Sequence, residues 1–210
     1  MLFDLDPTRL IAAGVILLVG FPVHEFSHAL AAYRLGDSTA RFLGRLTLNP
    51  LAHLDPFGAL ALLLTGMVGW AKPTPVNPVN LSGGRRGEAL VAAAGPLSNL
   101  VLAMLFAIPF RAIVALGLRN DVPIELLRIL DFCVLINLAL MLFNLVPIPP
   151  LDGYRVLLGL VDPRTAWRLR AYEPYAMYGL LILVFLLAAT PLRFAFGRLL
   201  DAMTGFLIGV

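Results

Sequence analysis

Residues Phe57–Trp70 read FGALALLLTGMVGW, 14 residues without a charge, closed off by Lys72 and Pro73. A helix needs about 20 mostly apolar residues to cross the hydrocarbon core of a bilayer. The stretch is therefore brief for a crossing and closer to the length of a re-entrant or buried helix. If it dips in and returns, the chain before it and the chain after it lie on one side of a membrane, and that decides the topology.

Outward from this stretch, the runs Leu10 to Tyr33, Ala89 to Phe110 and Ile129 to Pro147 reach spanning length, and Tyr175 to Thr190 supplies a shorter fourth. The chain of 210 residues is 60% hydrophobic and only 14% charged, with a mean hydropathy of +0.87. Soluble domains average roughly 45–50% apolar and about 25% charged residues, and a small soluble fold cannot hide the excess. The lipid bilayer is the natural solvent. The first run follows Asp4 and Asp6 rather than a basic cluster, so it reads as a retained helix and not a signal peptide. The expected fold is an all-α membrane protein: a polytopic helical bundle with about four spanning helices, forming one integral-membrane domain over residues 1–210.

With residues 57–70 re-entrant, Arg34, Arg41, Arg45, Lys72, Arg85, Arg86, Arg155, Arg164, Arg168 and Arg170 share one side, ten of the sixteen basic residues. The positive-inside rule makes that side cytoplasmic. The net charge of +3 is scattered between apolar runs without a basic cluster, which argues against nucleic acid as a partner. The single cysteine, Cys133, excludes an intramolecular disulfide. Ala40 to Asn49 alternates Phe42, Leu46 and Leu48 with Arg45, Thr47 and Asn49, a period of two that predicts a small membrane-associated β element. Near the C-terminus, Phe196, Leu199, Leu200, Met203, Phe206 and Leu207 recur at helical spacing opposite Arg193, Arg198 and Asp201, predicting an interfacial amphipathic helix.

Inside the first run lies His24-Glu25-Phe26-Ser27-His28. One helical turn brings two imidazoles at i and i+4 to one face, where both ring nitrogens reach a single Zn²⁺ and the glutamate reaches its water. The alternative is a polar face packed against other helices. Ionisable groups deep in a spanning helix cost roughly 2.5–3.5 kcal/mol each for the charged types, and a metal in a water-accessible cavity compensates them. Measured from Arg34, the histidines lie roughly 15 and 9 Å down the helix. A hydrolytic zinc keeps a third protein ligand and an open position. The best candidate is Asp152, which follows Pro147, Pro149 and Pro150, where a broken helix can line a polar cavity. Asp152 could instead cap the helix Gly153 to Leu160.

These residues, with Ala94-Gly95-Pro96-Leu97-Ser98-Asn99, Asn144 eight residues before Asp152-Gly153, and Asn49-Pro50-Leu51-Ala52-His53-Leu54-Asp55-Pro56, resemble the site-2 proteases. These are intramembrane zinc metalloproteases, and the likeness is to their small form without PDZ or regulatory domains. The resemblance implies that His24, His28 and Asp152 bind zinc, that Glu25 is the general base and acid, and that Asn144 holds the substrate backbone. Asn99 is a further substrate-binding candidate, with interhelical packing as its alternative. The implied substrates are single-span membrane proteins, and the implied setting is a bacterial or archaeal plasma membrane with the active site nearer the cytoplasmic face. A homo-oligomer is a possible assembly. Two rival readings are a zinc-binding transporter and a catalytically inactive membrane scaffold, neither of which needs a glutamate beside His24.

Overall fold

A computed structural model describes residue 11 and residues 14–65 and 69–209, and every regular element among them is helical. The start of the first apolar run, including Leu10, and residues 66–68 lie outside the described residues. In chain order the helices are α1 (Phe21–Arg34), α2 (Thr39–Phe42), α3 (Pro50–His53), α4 (Pro56–Thr65), α5 (Arg85–Ala115), α6 (Ile124–Asn144), α7 (Asp152–Leu160), α8 (Pro163–Arg170), α9 (Ala176–Ala189) and α10 (Leu192–Ile208). A π-helical turn, Ile16–Gly20, leads directly into α1.

The central element is α5, which packs against α1, α6, α7 and α10. Its 31 residues rise roughly 46 Å, longer than the roughly 30 Å hydrocarbon core. The largest core lies where α5, α6 and α10 meet, around Ala103, Ala107, Phe110, Val134, Leu138 and Leu200. Small residues on α5 let α6 approach closely, as helix pairs in lipid require. Two described helices, α5 and α6, are long and apolar enough to cross a membrane, and α8 with the segment Glu173–Ala189 makes a third if their 41° bend is taken within one span.

The stretch that decides the topology leaves and returns at one place. Leu54 and Ala71 form an isolated antiparallel bridge, and Lys72 N–H donates to His53 O at 2.8 Å. The two ends of the excursion are thus neighbours.

The β element expected over Ala40 to Asn49 is absent; that segment holds the helical turn α2 and a turn at Gly44, whose φ is +69°. Asp37 Oδ1 captures both the N–H and the hydroxyl of Thr39, which starts a helical turn instead of an extended strand. The alternation also failed to mark an outer and an inner face, because Arg45 is buried and donates to Ala52 O, Lys72 O and Pro73 O. At the C-terminus α10 is helical as expected, but Leu200, Thr204 and Ile208 are buried against α5 and α6. Of the apolar residues named for its face, Leu200 is buried and Phe196, Met203 and Leu207 are partly buried against the core, while Leu199 and Phe206 stay exposed.

Loops gather at one end of α5. Ser82 N–H donates to Leu35 O at 2.7 Å, Arg85 Nη1 donates to Leu158 O at 3.0 Å, and Arg170 pairs with Glu88 at 2.8 Å. The turn between α5 and α6 lies at the other end.

Candidate metal centre

Helix α1 is the scaffold of the site, and the one-turn spacing of His24 and His28 puts both imidazoles on its buried face, each 8% exposed. Their Nε2 atoms lie 3.1 Å apart. Asp152 Oδ2 lies 3.2 Å from His24 Nε2 and 3.3 Å from His28 Nε2. The aspartate reaches this point because the chain turns sharply after α6: Ile148 N–H donates to Val146 O and Leu151 N–H to Ile148 O, delivering Asp152 into the first turn of α7. The cap position of α7 is Leu151, with no side-chain cap, so the carboxylate is not spent on the helix end.

The outer nitrogens settle what the inner ones offer. His24 Nδ1–H donates to Asn99 Oδ1 at 2.6 Å, and His28 Nδ1–H donates to the carbonyl of Val91 at 2.7 Å. In a neutral imidazole the proton then sits on Nδ1, leaving Nε2 as a lone pair. Asp152 Oδ2 is buried and receives no hydrogen bond from the described residues. With both imidazoles neutral, two lone-pair nitrogens and a carboxylate oxygen face one another at 3.1 to 3.3 Å. That arrangement repels itself unless a cation sits in it. Tetrahedral zinc bonded at about 2.0–2.2 Å keeps neighbouring ligand atoms roughly 3.4 Å apart, so the three atoms fit one face of such a coordination sphere. Among the described residues this is the one cluster of three or more His, Cys, Asp or Glu side chains that could hold a metal ion.

The centre is roofed by α5 at Gly95. A Cβ there would overlap His28 Nε2 and stand 2.6 Å from His24 Nε2, so any residue larger than glycine displaces the two imidazoles. The next residue, Pro96, donates no hydrogen bond, which interrupts the ladder of α5 beside the imidazoles.

Glu25, 9% exposed, is held by an extended strap. Thr74 N–H donates to Glu25 Oε2 at 2.7 Å, and the Thr74 hydroxyl donates to Glu25 O at 3.0 Å. Pro73 and Pro75 keep the strap extended and cannot donate, so Thr74 carries the N–H between them. Arg45 holds the carbonyls of Lys72 and Pro73 from beneath. Burial lowers the pKa of its guanidinium, and the charge of Glu25 opposes that effect. Asp37 anchors the far end of the strap by accepting from Asn77 N–H at 2.7 Å and Asn80 Nδ2 at 3.1 Å.

The sequence model of peptidase family M50 matches residues 112–187, the part of the chain that carries Asn144 and Asp152. The Bacillus subtilis (strain 168) protein named "Putative zinc metalloprotease YwhC" is 41% identical over 171 residues, covering 80% of this chain and 78% of its own. The chain belongs to peptidase family M50, the site-2 protease family. The proteins named "Putative zinc metalloprotease Rip2" from Mycolicibacterium smegmatis and Mycobacterium tuberculosis H37Rv are 32% and 34% identical, covering 84% and 79% of this chain and 66% and 63% of their own lengths. No solved structure is significantly similar.

Two other residues named from the M50 resemblance have definite places. Asn144 ends α6, half-buried, with Nδ2 donating to Leu140 O at 2.9 Å. Asn99 is fully buried behind His24, bonded to the imidazole on one side and to Asn137 on the other, so it reaches the centre only through the ring. Thr74, Arg45, Asp37 and Asn137 were not singled out by the sequence for these roles. The strap and Asn99 contacts that give them these roles lie from 27 to 49 residues away in the chain, and no local spacing announces such contacts.

Proposed function

We propose that this M50 protein is an intramembrane zinc metalloprotease that hydrolyses peptide bonds within or near the transmembrane segments of single-span membrane proteins. The observation that carries the proposal is the convergence of His24 Nε2, His28 Nε2 and Asp152 Oδ2, with the Glu25 carboxylate one residue from the first ligand. Zinc held by these three atoms supplies a Lewis acid that acidifies water and polarises a peptide carbonyl. Glu25 takes the proton of the attacking water and passes it to the leaving amine. Thr74 N–H, bonded to Oε2, holds the Glu25 carboxylate in one orientation for that role. Asn144 holds the backbone of the unwound substrate or its developing oxyanion.

In this reading the first apolar run, α5, α6 and the run Tyr175 to Thr190 are the four membrane crossings, and residues 57–70 are re-entrant. The end of α5 that gathers the loops faces the cytoplasm of a bacterial or archaeal cell, because it carries ten of the sixteen basic residues. Gly95 lies ten residues along α5 from that end, which puts the centre roughly 15 Å deep.

The deciding experiment incubates purified wild type and Glu25→Gln with a panel of single-span substrates. Glutamine keeps the size of the side chain but cannot take a proton. General acid–base catalysis is worth about 10²–10⁴-fold, so cleavage should fall by at least that range with zinc content and substrate binding unchanged. Wild-type cleavage rates in Glu25→Gln would overturn the mechanism. Metal flux without proteolysis would favour the transporter.

A further inference from the structure

Behind His24 runs a chain of three side-chain hydrogen bonds that ends on the main chain of α6. Asn137 Nδ2 donates to Cys133 O at 2.8 Å, Asn99 Nδ2 donates to Asn137 Oδ1 at 3.0 Å, and His24 Nδ1 meets Asn99 Oδ1 at 2.6 Å. Asn99 is 0% and Asn137 1% exposed, so water does not substitute for either partner. Each link forces the next. A carbonyl only accepts, so the amide of Asn137 must turn its nitrogen to Cys133 and its oxygen to Asn99. Asn99 must then turn its nitrogen to Asn137 and its oxygen to His24, and an oxygen at 2.6 Å requires the proton on His24 Nδ1.

We propose that Asn137 is a positioning residue that acts through Asn99 to fix His24 as its Nδ1–H tautomer, presenting the Nε2 lone pair to the metal. The inference rests on the metal-centre reading above and adds to it the residue that sets the ligand's protonation. Without Asn137 the Asn99 amide is free to turn over and offer its nitrogen to His24. The imidazole then carries its proton on Nε2, the ligand atom, and must give it up before a metal binds. His28 supplies an internal control, because its Nδ1–H is held by the Val91 carbonyl, which cannot turn over.

The test uses purified full-length protein in detergent, with two readouts. The first is the ring nitrogen resonances of ¹⁵N-histidine-labelled, metal-free protein, and the second is zinc affinity against a chelator of known strength. Wild type should show Nδ1 protonated on both His24 and His28, with or without a second proton on the Nε2 atoms that face Asp152. Asn137→Leu, close in volume but unable to accept a hydrogen bond, should give His24 a population of the Nε2–H tautomer, leave His28 unchanged and weaken zinc binding by about 10- to 100-fold, the range seen when groups supporting a ligand are removed. Asn137→Asp keeps the acceptor facing Asn99 and should retain the wild-type tautomer. If the leucine variant does not fold, Asn137→Ala must show the same change at His24. An unaltered His24 tautomer in a folded Asn137→Leu or Asn137→Ala would overturn the proposal, as would an equal change at His28. Failure of the wild type to bind zinc would defeat the metal-centre reading instead, and the tautomers of the metal-free protein would still decide the role of Asn137.

Discussion

Gly95 tests the metal centre without touching a ligand. An alanine Cβ would overlap both ligand nitrogens while raising the intrinsic helix propensity of α5 by roughly 1 kcal/mol. Gly95→Ala should therefore lose most of its zinc by elemental analysis while melting no earlier than metal-free wild type. Gly197→Ala on α10, where the added methyl meets nothing within 4 Å, should keep its zinc. Of the ligands themselves, His24→Ala, His28→Ala and Asp152→Ala should each lower occupancy from about one ion per chain, since a three-ligand site has no spare donor. Full occupancy in Asp152→Ala would remove Asp152 from the centre. The histidines were legible in the sequence because one turn of helix guarantees that i and i+4 share a face. The oxygen of Asn99 that orders His24 was not, because it depends on how α5 docks on α1.

The strap over Glu25 belongs to the scale of elements, and its anchors are polar rather than apolar. Asp37 accepts hydrogen bonds from Thr39, Asn77 and Asn80, and although burial raises its pKa, these bonds outweigh burial and hold the carboxyl below its usual range. Asp37→Ala leaves buried donors unpaired and should cost on the order of 2 kcal/mol, read as a shift in denaturation midpoint in detergent. Because the native pKa is depressed, the stabilisation is fully present above the unfolded value of about 3.9 and is lost as the pH falls through the native value. The gap between wild type and Asp37→Ala should hold from pH 7 to about 5 and close below about 4. A gap that widened on acidification would contradict this origin. The β expectation for Ala40 to Asn49 failed at the same scale. Period-two patterning assumes that side chains alternate between solvent and core, whereas here a buried arginine turns inward to satisfy carbonyls of the strap.

For the whole molecule, the apolar excess and the brevity of residues 57–70 were readable before any coordinates, because membrane thickness imposes a length on each crossing. The joining of Leu54 to Ala71, the bond from Ser82 to Leu35 and the pair of Arg170 with Glu88 draw Arg41, Arg85 and the α7–α8 region to one end of α5. Asn120 sits in the turn between α5 and α6 at the opposite end. If α5 crosses the bilayer, positions 41 and 85 must share a face and position 120 must take the other. Single cysteines at Arg41, Arg85 and Asn120 in a Cys133→Ser background should distinguish the faces in intact cells treated with an impermeant thiol reagent. Only position 120 should react from outside, with 41 and 85 reacting after the cells are permeabilised. Labelling of 85 together with 120 would place both ends of α5 on one side and break the membrane arrangement proposed for the metal centre. Labelling of 41 and 85 from outside, with 120 protected, would keep the fold and invert its orientation, showing that the ten basic residues at that end do not govern insertion.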